Sequence, residues 1–114
     1  MSKKYSLGIR KEDKDIFKAL QKGTKTIETR AAKGRFKRIE AGDVLVFNCA
    51  NETVEKEVYD VSYYDSVEEM AEELPLKNIL PSVSGVEEAK EVYHSFPNYK
   101  YKIEEYGLAA YKLK

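Results

Sequence analysis

Gly23-Thr24-Lys25-Thr26-Ile27-Glu28-Thr29-Arg30 is a strand signal with an unusual face. Residues 25–30 are rich in β-branched side chains, which suit a pleated backbone. Along a strand, side chains alternate, so Thr26, Glu28 and Arg30 share one face and Ile27 and Thr29 the other. A face with Glu and Arg two residues apart is ordinary against water and costly against a core. The preceding residues 12–22 predict a helix, with Ile16, Phe17 and Leu20 as its apolar stripe. Glu12, Asp13 and Asp15 lie in its first turn, where the helix dipole favours acids. Gly23 suits the left-handed residue that ends such a helix.

Downstream, residues 31–40 form a basic connection containing Lys33, Arg35, Lys37 and Arg38. Gly42-Asp43 predicts a turn into the continuous apolar strand Val44-Leu45-Val46-Phe47. Asn51-Glu52 predicts the next turn, and residues 53–63 a long strand. Tyr63 and Tyr64 are adjacent, so only one can point inward. Ser66-x-x-Glu69 and Ser84-x-x-Glu87 read as capping boxes, the first opening a short helix to about Leu74. The second opens a helix carrying Val86, Ala89, Val92, Tyr93 and Phe96, stopped by Pro97. Pro75 and Pro81 bound an irregular stretch between them. Residues 5–10 suit an opening extended segment and Gly107 to Leu113 a closing strand. Short helices interspersed with strands in so small a chain predict an α+β fold, a small β-barrel with flanking helices.

At 114 residues the chain has the size of one domain, residues 1–114, with one modest core. Its formal charge sums to zero, which argues against an indiscriminate polyanion binder. The distribution is uneven: residues 1–50 hold 13 Lys and Arg against 6 Asp and Glu, and residues 51–98 hold 3 against 12. One basic side is expected, unless opposite charges simply meet across the fold. Cys49 and His94 stand alone in their types, so no disulfide within the chain and no Cys/His zinc site can form. No cofactor and no metal are implied. No apolar run reaches the roughly 18 residues of a membrane span. Met1-Ser2-Lys3-Lys4-Tyr5 lacks a secretory leader's apolar stretch, so a cytoplasmic protein without a membrane partner is expected.

Four segments, in order, resemble the ASCH domain, a branch of the PUA-like superfamily. Gly23 to Arg30 is similar to its G-x-K-x-x-E-x-R signature, and Ile39-Glu40-Ala41-Gly42-Asp43-Val44-Leu45-Val46-Phe47 to its I-x-x-G-D-x-I-x-F strand. Tyr64-Asp65-Ser66-Val67-Glu68-Glu69-Met70, with Leu80-Pro81 and the helix holding Tyr93, resembles the small stand-alone prokaryotic type. The close, Glu105-Tyr106-Gly107-Leu108-Ala109-Ala110, is similar as well. The resemblance implies a PUA-like barrel, a cleft lined by Lys25, Glu28 and Arg30, and a partner that is RNA or a nucleotide-like ligand. Members are described as binding modules, as ribonucleases and, in one branch, as an amidohydrolase of acetylated cytidine. That branch has a Thr three residues after the signature Lys, where this chain has Glu28.

The residues themselves allow a sharper and a plainer reading. Lys25 and Arg30 can hold phosphate or a ring oxygen, Arg as a fork and Lys as a point charge. Glu28 can accept a base amine. The same three can instead form a structural ion-pair cluster. If the chain is an enzyme, Lys25 and Glu28 are the catalytic candidates, although neighbouring cations would make Glu28 a weak base. Arg35, Lys37 and Arg38 can follow a phosphate backbone or belong to a solvated loop. Asn48 can read a base edge or hold a turn, and Tyr63 can stack on a base. Tyr93 shares a helix face with Ala89 and Phe96, which points to packing. The leading expectation is a monomeric binding module for RNA or a nucleotide. The alternatives are a metal-independent ribonuclease or nucleoside amidohydrolase, and a protein-interaction module using the acidic residues 51–98.

Overall fold

The computed structural model describes residues 2–114. Strand β1 (Lys4–Gly8) leads through a single 3-10 turn at Lys11–Asp13 into helix α1 (Lys14–Lys22). Strand β2 (Ile27–Ala31) follows, then a 3-10 turn at Gly34–Lys37, strand β3 (Val44–Cys49) and the long strand β4 (Glu52–Tyr64). Helices α2 (Val67–Glu73), α3 (Leu76–Ile79), α4 (Val86–Ser95) and α5 (Tyr99–Tyr106) precede the last strand, β5 (Leu108–Leu113).

The fold is α+β, with one five-stranded mixed sheet in the order β1-β3-β4-β5-β2. Only β1 and β3 are parallel. Strand β4 holds the sheet together by serving two neighbours. Its first half pairs with β3 from Glu52 to Glu57, and its second half with β5 from Val58 to Tyr64. A register irregularity between Val58 and Asp60 separates the halves, and such a bulge bends a strand and increases its twist.

Strand β5 buries both faces, and this divides the core in two. Ala109, Tyr111 and Leu113 pack with Leu7, Phe17, Leu20, Leu45 and Phe47. Leu108 and Ala110 face the opposite way, against Met70, Ile79, Ala89, Tyr93 and Ile103 of the four later helices. Phe17 and Leu20 of α1 are fully buried, each worth about 1.5–3 kcal/mol of transferred apolar surface.

The curvature does not close into a barrel. Strands β1 and β2 are the two ends of the sheet, and no ladder joins them among the described residues. Arginine side chains cross that seam instead. Arg30 Nη2 donates to Gly8 O at 3.3 Å and Arg35 Nη2 to Ser6 O at 2.9 Å.

Several local expectations hold. Gly23 takes φ 83° at the end of α1. Ser66 Oγ accepts from Glu69 N–H at 3.0 Å. Tyr64 is buried while Tyr63 is half exposed. The expected Ser84-x-x-Glu87 box does not form: Gly85 is the cap residue, and Ser84 N–H donates to Glu88 Oε1 at 2.9 Å. The cap is displaced by one residue because Gly85 takes the fully extended backbone that precedes the helix. The stretch between Pro75 and Pro81 contains the short helix α3. Helix α5 went unforeseen, since its Tyr- and Lys-rich sequence carries little apolar periodicity and its cap, Asn98, makes no side-chain cap bond.

Candidate functional site

The seam between β1 and β2 opens into a cleft of about 170 Å³. Gly8, Ile9 and Arg10 form one lip, β2 the floor, and Leu80, Tyr93, Phe96 and Tyr99 the far wall. Lys25, Glu28 and Arg30 all line it, so the three signature residues are brought together.

The floor is a sheet edge, and side chains meet three of its backbone groups, Ile27 O, Thr29 N–H and Ala31 N–H. Lys25 Nζ donates to Ile27 O at 2.9 Å and to Ile79 O on α3. Glu28 Oε1 lies 3.3 Å from Lys25 Nζ and accepts from Thr29 N–H at 3.0 Å. Ala31 N–H donates to the Tyr99 hydroxyl at 3.4 Å. Lys25 is 2% exposed and Glu28 5%. An ammonium has three N–H donors, and those of Lys25 already have three acceptors within reach. Lys25 is therefore a buried link between β2 and α3 rather than an outstretched charge.

Glu28 Oε2 faces Arg30, accepting from Nε at 3.2 Å and from Nη2 at 3.0 Å. Both nitrogens converge on that single oxygen in charge-assisted hydrogen bonds. With its other bond to Gly8 O, Arg30 uses Nε and Nη2 within the protein. Its Nη1 has no protein acceptor among the described residues, and the side chain is 18% exposed at the cleft. Of the signature trio, Arg30 is the one with donors left.

Burial pushes the Glu28 carboxyl up, but the charges of Lys25 and Arg30 and the Thr29 and Arg30 bonds outweigh it, holding it below the usual carboxylate range. Burial pulls the Lys25 ammonium down, against the opposing pull of Glu28. Burial also keeps the hydroxyls of Tyr93 and Tyr99 protonated well above neutrality. The Tyr93 hydroxyl is hydrogen-bonded to Thr29 Oγ1 at the cleft wall, so this residue packs, as its helix position suggested, and also reaches the site.

A pH dependence follows from Glu28. Its folded pKa is depressed, so its contribution is complete above the unfolded value, about 4.3, and disappears as pH falls through the folded value. Urea midpoints between pH 6 and pH 3 should fall steadily, and Glu28→Gln, itself less stable, should show a flatter fall. Equal slopes in both proteins would assign the acid sensitivity elsewhere.

The remaining sequence candidates lie outside the cleft. Arg35 is exposed and crosses the seam to Ser6 O at 2.9 Å. Asn48 Nδ2 donates to Ser6 Oγ at 2.6 Å and to Val46 O at 3.2 Å, a structural pairing of β1 with β3. Lys37 and Arg38 are exposed on and after the 3-10 turn. Tyr63 donates to Lys37 O at 3.2 Å and, with Lys37, lines a separate shallow depression. Sequence reasoning missed Arg10, whose Nε donates to Asp13 Oδ2 at 2.8 Å and whose guanidinium lies 5.5 Å from the centre of the Phe96 ring. No motif marks Arg10, because its partners come from a 3-10 turn and from a helix end more than 80 residues away. Among the described residues no three His, Cys, Asp or Glu side chains converge as metal ligands, and no helix is long and apolar enough to cross a membrane.

Comparison with known proteins agrees with this architecture. The crystal structure of hypothetical protein PH0355 superposes with a TM-score of 0.83 at 27% identity over 97% of each chain. The solution NMR structure of protein PF0455 from Pyrococcus furiosus gives 0.74 at 28% identity, over 97% of this chain and 96% of that one. No curated protein matches. The ASCH domain model matches residues 10–113, nearly the whole chain. The chain therefore belongs to the ASCH domain family.

Proposed function

We propose that the chain is a binding module for RNA or a nucleotide, which places one nucleoside unit in the β1–β2 cleft. The observation that carries this reading is Arg30. Its guanidinium is fixed by Glu28 and Gly8 O, so it is preorganised, and it keeps Nη1 for a ligand. An Nη1 group held in this way suits a phosphate oxygen or a base carbonyl. Phe96, Pro97, Tyr99 and Leu80 supply an apolar and aromatic wall for a ring. The 170 Å³ space falls below the usual ~300–1,000 Å³ of small-molecule pockets, a size for a single ring with its charged tail outside.

The same contacts weigh against acid–base chemistry by Lys25 and Glu28. A base needs a pKa near the working pH, whereas Glu28 is held low and its oxygens are already engaged. The Lys25 donors are spent on backbone and carboxylate oxygens.

The test is an amide-shift NMR titration with uridine and adenosine monophosphates and with short single-stranded RNA. Shifts should centre on Gly8, Thr29, Arg30 and Tyr99. Arg30→Lys keeps a charge but loses Nη1 and the contacts to Glu28 and Gly8 O. With its urea midpoint measured alongside, the folded variant should bind nucleotide about tenfold more weakly, the loss of one charge-assisted hydrogen bond. An unperturbed cleft at millimolar nucleotide and saturating RNA would overturn the reading.

A further inference from the structure

The shallow depression on the far side of the 34–37 turn is not explained by the cleft. It is lined by Ala32, Lys37, Tyr63, Tyr64, Asp65 and Tyr106. Three tyrosines, Tyr63, Tyr64 and Tyr106, line it beside Lys37. Tyr63 is 50% exposed, yet its hydroxyl is tied to Lys37 O at 3.2 Å, so its ring is both open and fixed. Lys33 Nζ lies 5.3 Å from the centre of the Tyr106 ring. Asp65 is the one acid among the lining residues.

The segment between β2 and β3, which adjoins both the depression and the cleft, carries a run of basic residues. Arg30, in the cleft, lies 5.9 Å from the centre of the Phe36 ring, and Arg35 lies 5.0 Å from the same ring. Lys37 follows Phe36 directly, and Lys33, Arg35, Lys37 and Arg38 are all exposed. The Tyr111 hydroxyl donates to Phe36 O at 2.6 Å, which pins the turn within this run. Cations that follow a backbone, interleaved with fixed aromatic faces, are what a single strand of nucleic acid requires.

We propose that the Tyr63–Tyr106 depression is a base-stacking subsite for a second nucleotide of the strand whose neighbour occupies the cleft. The partner is then single-stranded RNA several nucleotides long, not a free nucleotide. This inference rests on the cleft being a nucleotide site, and it adds a second site with its own residues.

The experiment compares uridine monophosphate with oligouridylates of two, four and six residues, by calorimetry, on the full chain. Affinity should rise with length until the strand reaches both sites. Tyr63→Ala removes the open ring and should weaken the six-residue strand about tenfold, within the range for one lost stacking contact, while leaving the mononucleotide unchanged. Tyr63→Phe keeps the ring but frees it from Lys37 O, and should bind within about threefold of wild type, because the stacking face is retained. Lys37→Glu, on an exposed position, should weaken only the longer strands and flatten their dependence on salt. If the strands bind with an Arg30 dependence but gain nothing from length or from Tyr63, the second subsite is overturned and the cleft assignment stands. If neither mononucleotide nor strand binds, both fail.

Discussion

Lys25→Met should cost the fold about 3–5 kcal/mol, the usual penalty for removing one partner of a buried ion pair. Three acceptors lose their donor at once: Ile27 O, Ile79 O and Glu28 Oε1. Glu28 then stays buried with only Arg30 to balance it. Against a total stability of roughly 5–15 kcal/mol for a domain of this size, the loss is visible as a large shift in the urea midpoint. Lys25→Met/Glu28→Gln removes both charges and should recover part of it, with a coupling of about 1–3 kcal/mol in the double-mutant cycle. A shift below about 1 kcal/mol, combined with collapse of nucleotide affinity, would make Lys25 a ligand contact and defeat the structural assignment. The distinction matters in practice. Lost binding in a Lys25 variant reports unfolding until stability has been measured, and an Arg30 variant, which touches the same carboxylate, reports on the ligand once its fold has been checked.

Gly107→Ala is the second large effect, and its cause is backbone geometry. Gly107 sits between α5 and β5 with φ 76° and ψ −169°, a combination open to glycine alone. A Cβ built there falls 2.6 Å from Tyr64 O, a backbone atom that cannot rotate aside. Tyr64 is fixed by its pairing with Leu108, and Gly107 O accepts from Ala32 N–H at 3.0 Å, so the strain reaches β4, β5 and the residue that follows β2. Backbone strain alone costs about 1–3 kcal/mol, and the contact adds to it. Gly23→Ala is the control: φ is 83° but nothing lies within 4 Å of the added carbon, so about 1 kcal/mol is expected. Thermal melts of the two variants should separate by several degrees. Equal melts would mean that the Tyr64 contact relaxes freely.

The β2 segment shows what a sequence can and cannot disclose about such a site. Its strand character and parity were legible, because β-branched residues and alternation are local properties. Its neighbourhood was not. The partner of Lys25 is a carbonyl on α3, 54 residues away, and backbone carbonyls leave no trace in side-chain identity. For that reason the motif pointed to three ligand contacts, while the structure gives one group with donors to spare and two that hold the edge. The barrel expectation was not confirmed, for a related reason. Strand count and length were close, but closure depends on whether two end strands meet, and here Arg30 and Arg35 occupy that space. Tyr63 was singled out as a site residue, and its ring is exposed, but at a separate depression; the turn that separates the two places cannot be read from residues 34–37 alone.

The side-chain capping of the β2 edge has a consequence for how the molecule behaves in company. An uncovered strand edge is a template on which another chain can add itself. The cleft needs that edge uncovered by any strand of its own, which leaves it open to misuse by a second copy. Lys25, Glu28 and Tyr99 already hold Ile27 O, Thr29 N–H and Ala31 N–H, and two of them place charge directly beside the backbone. The edge remains accessible to a small ring and is poor at recruiting a strand. The residues that shape the floor of the cleft thus also oppose the addition of a second strand at this edge.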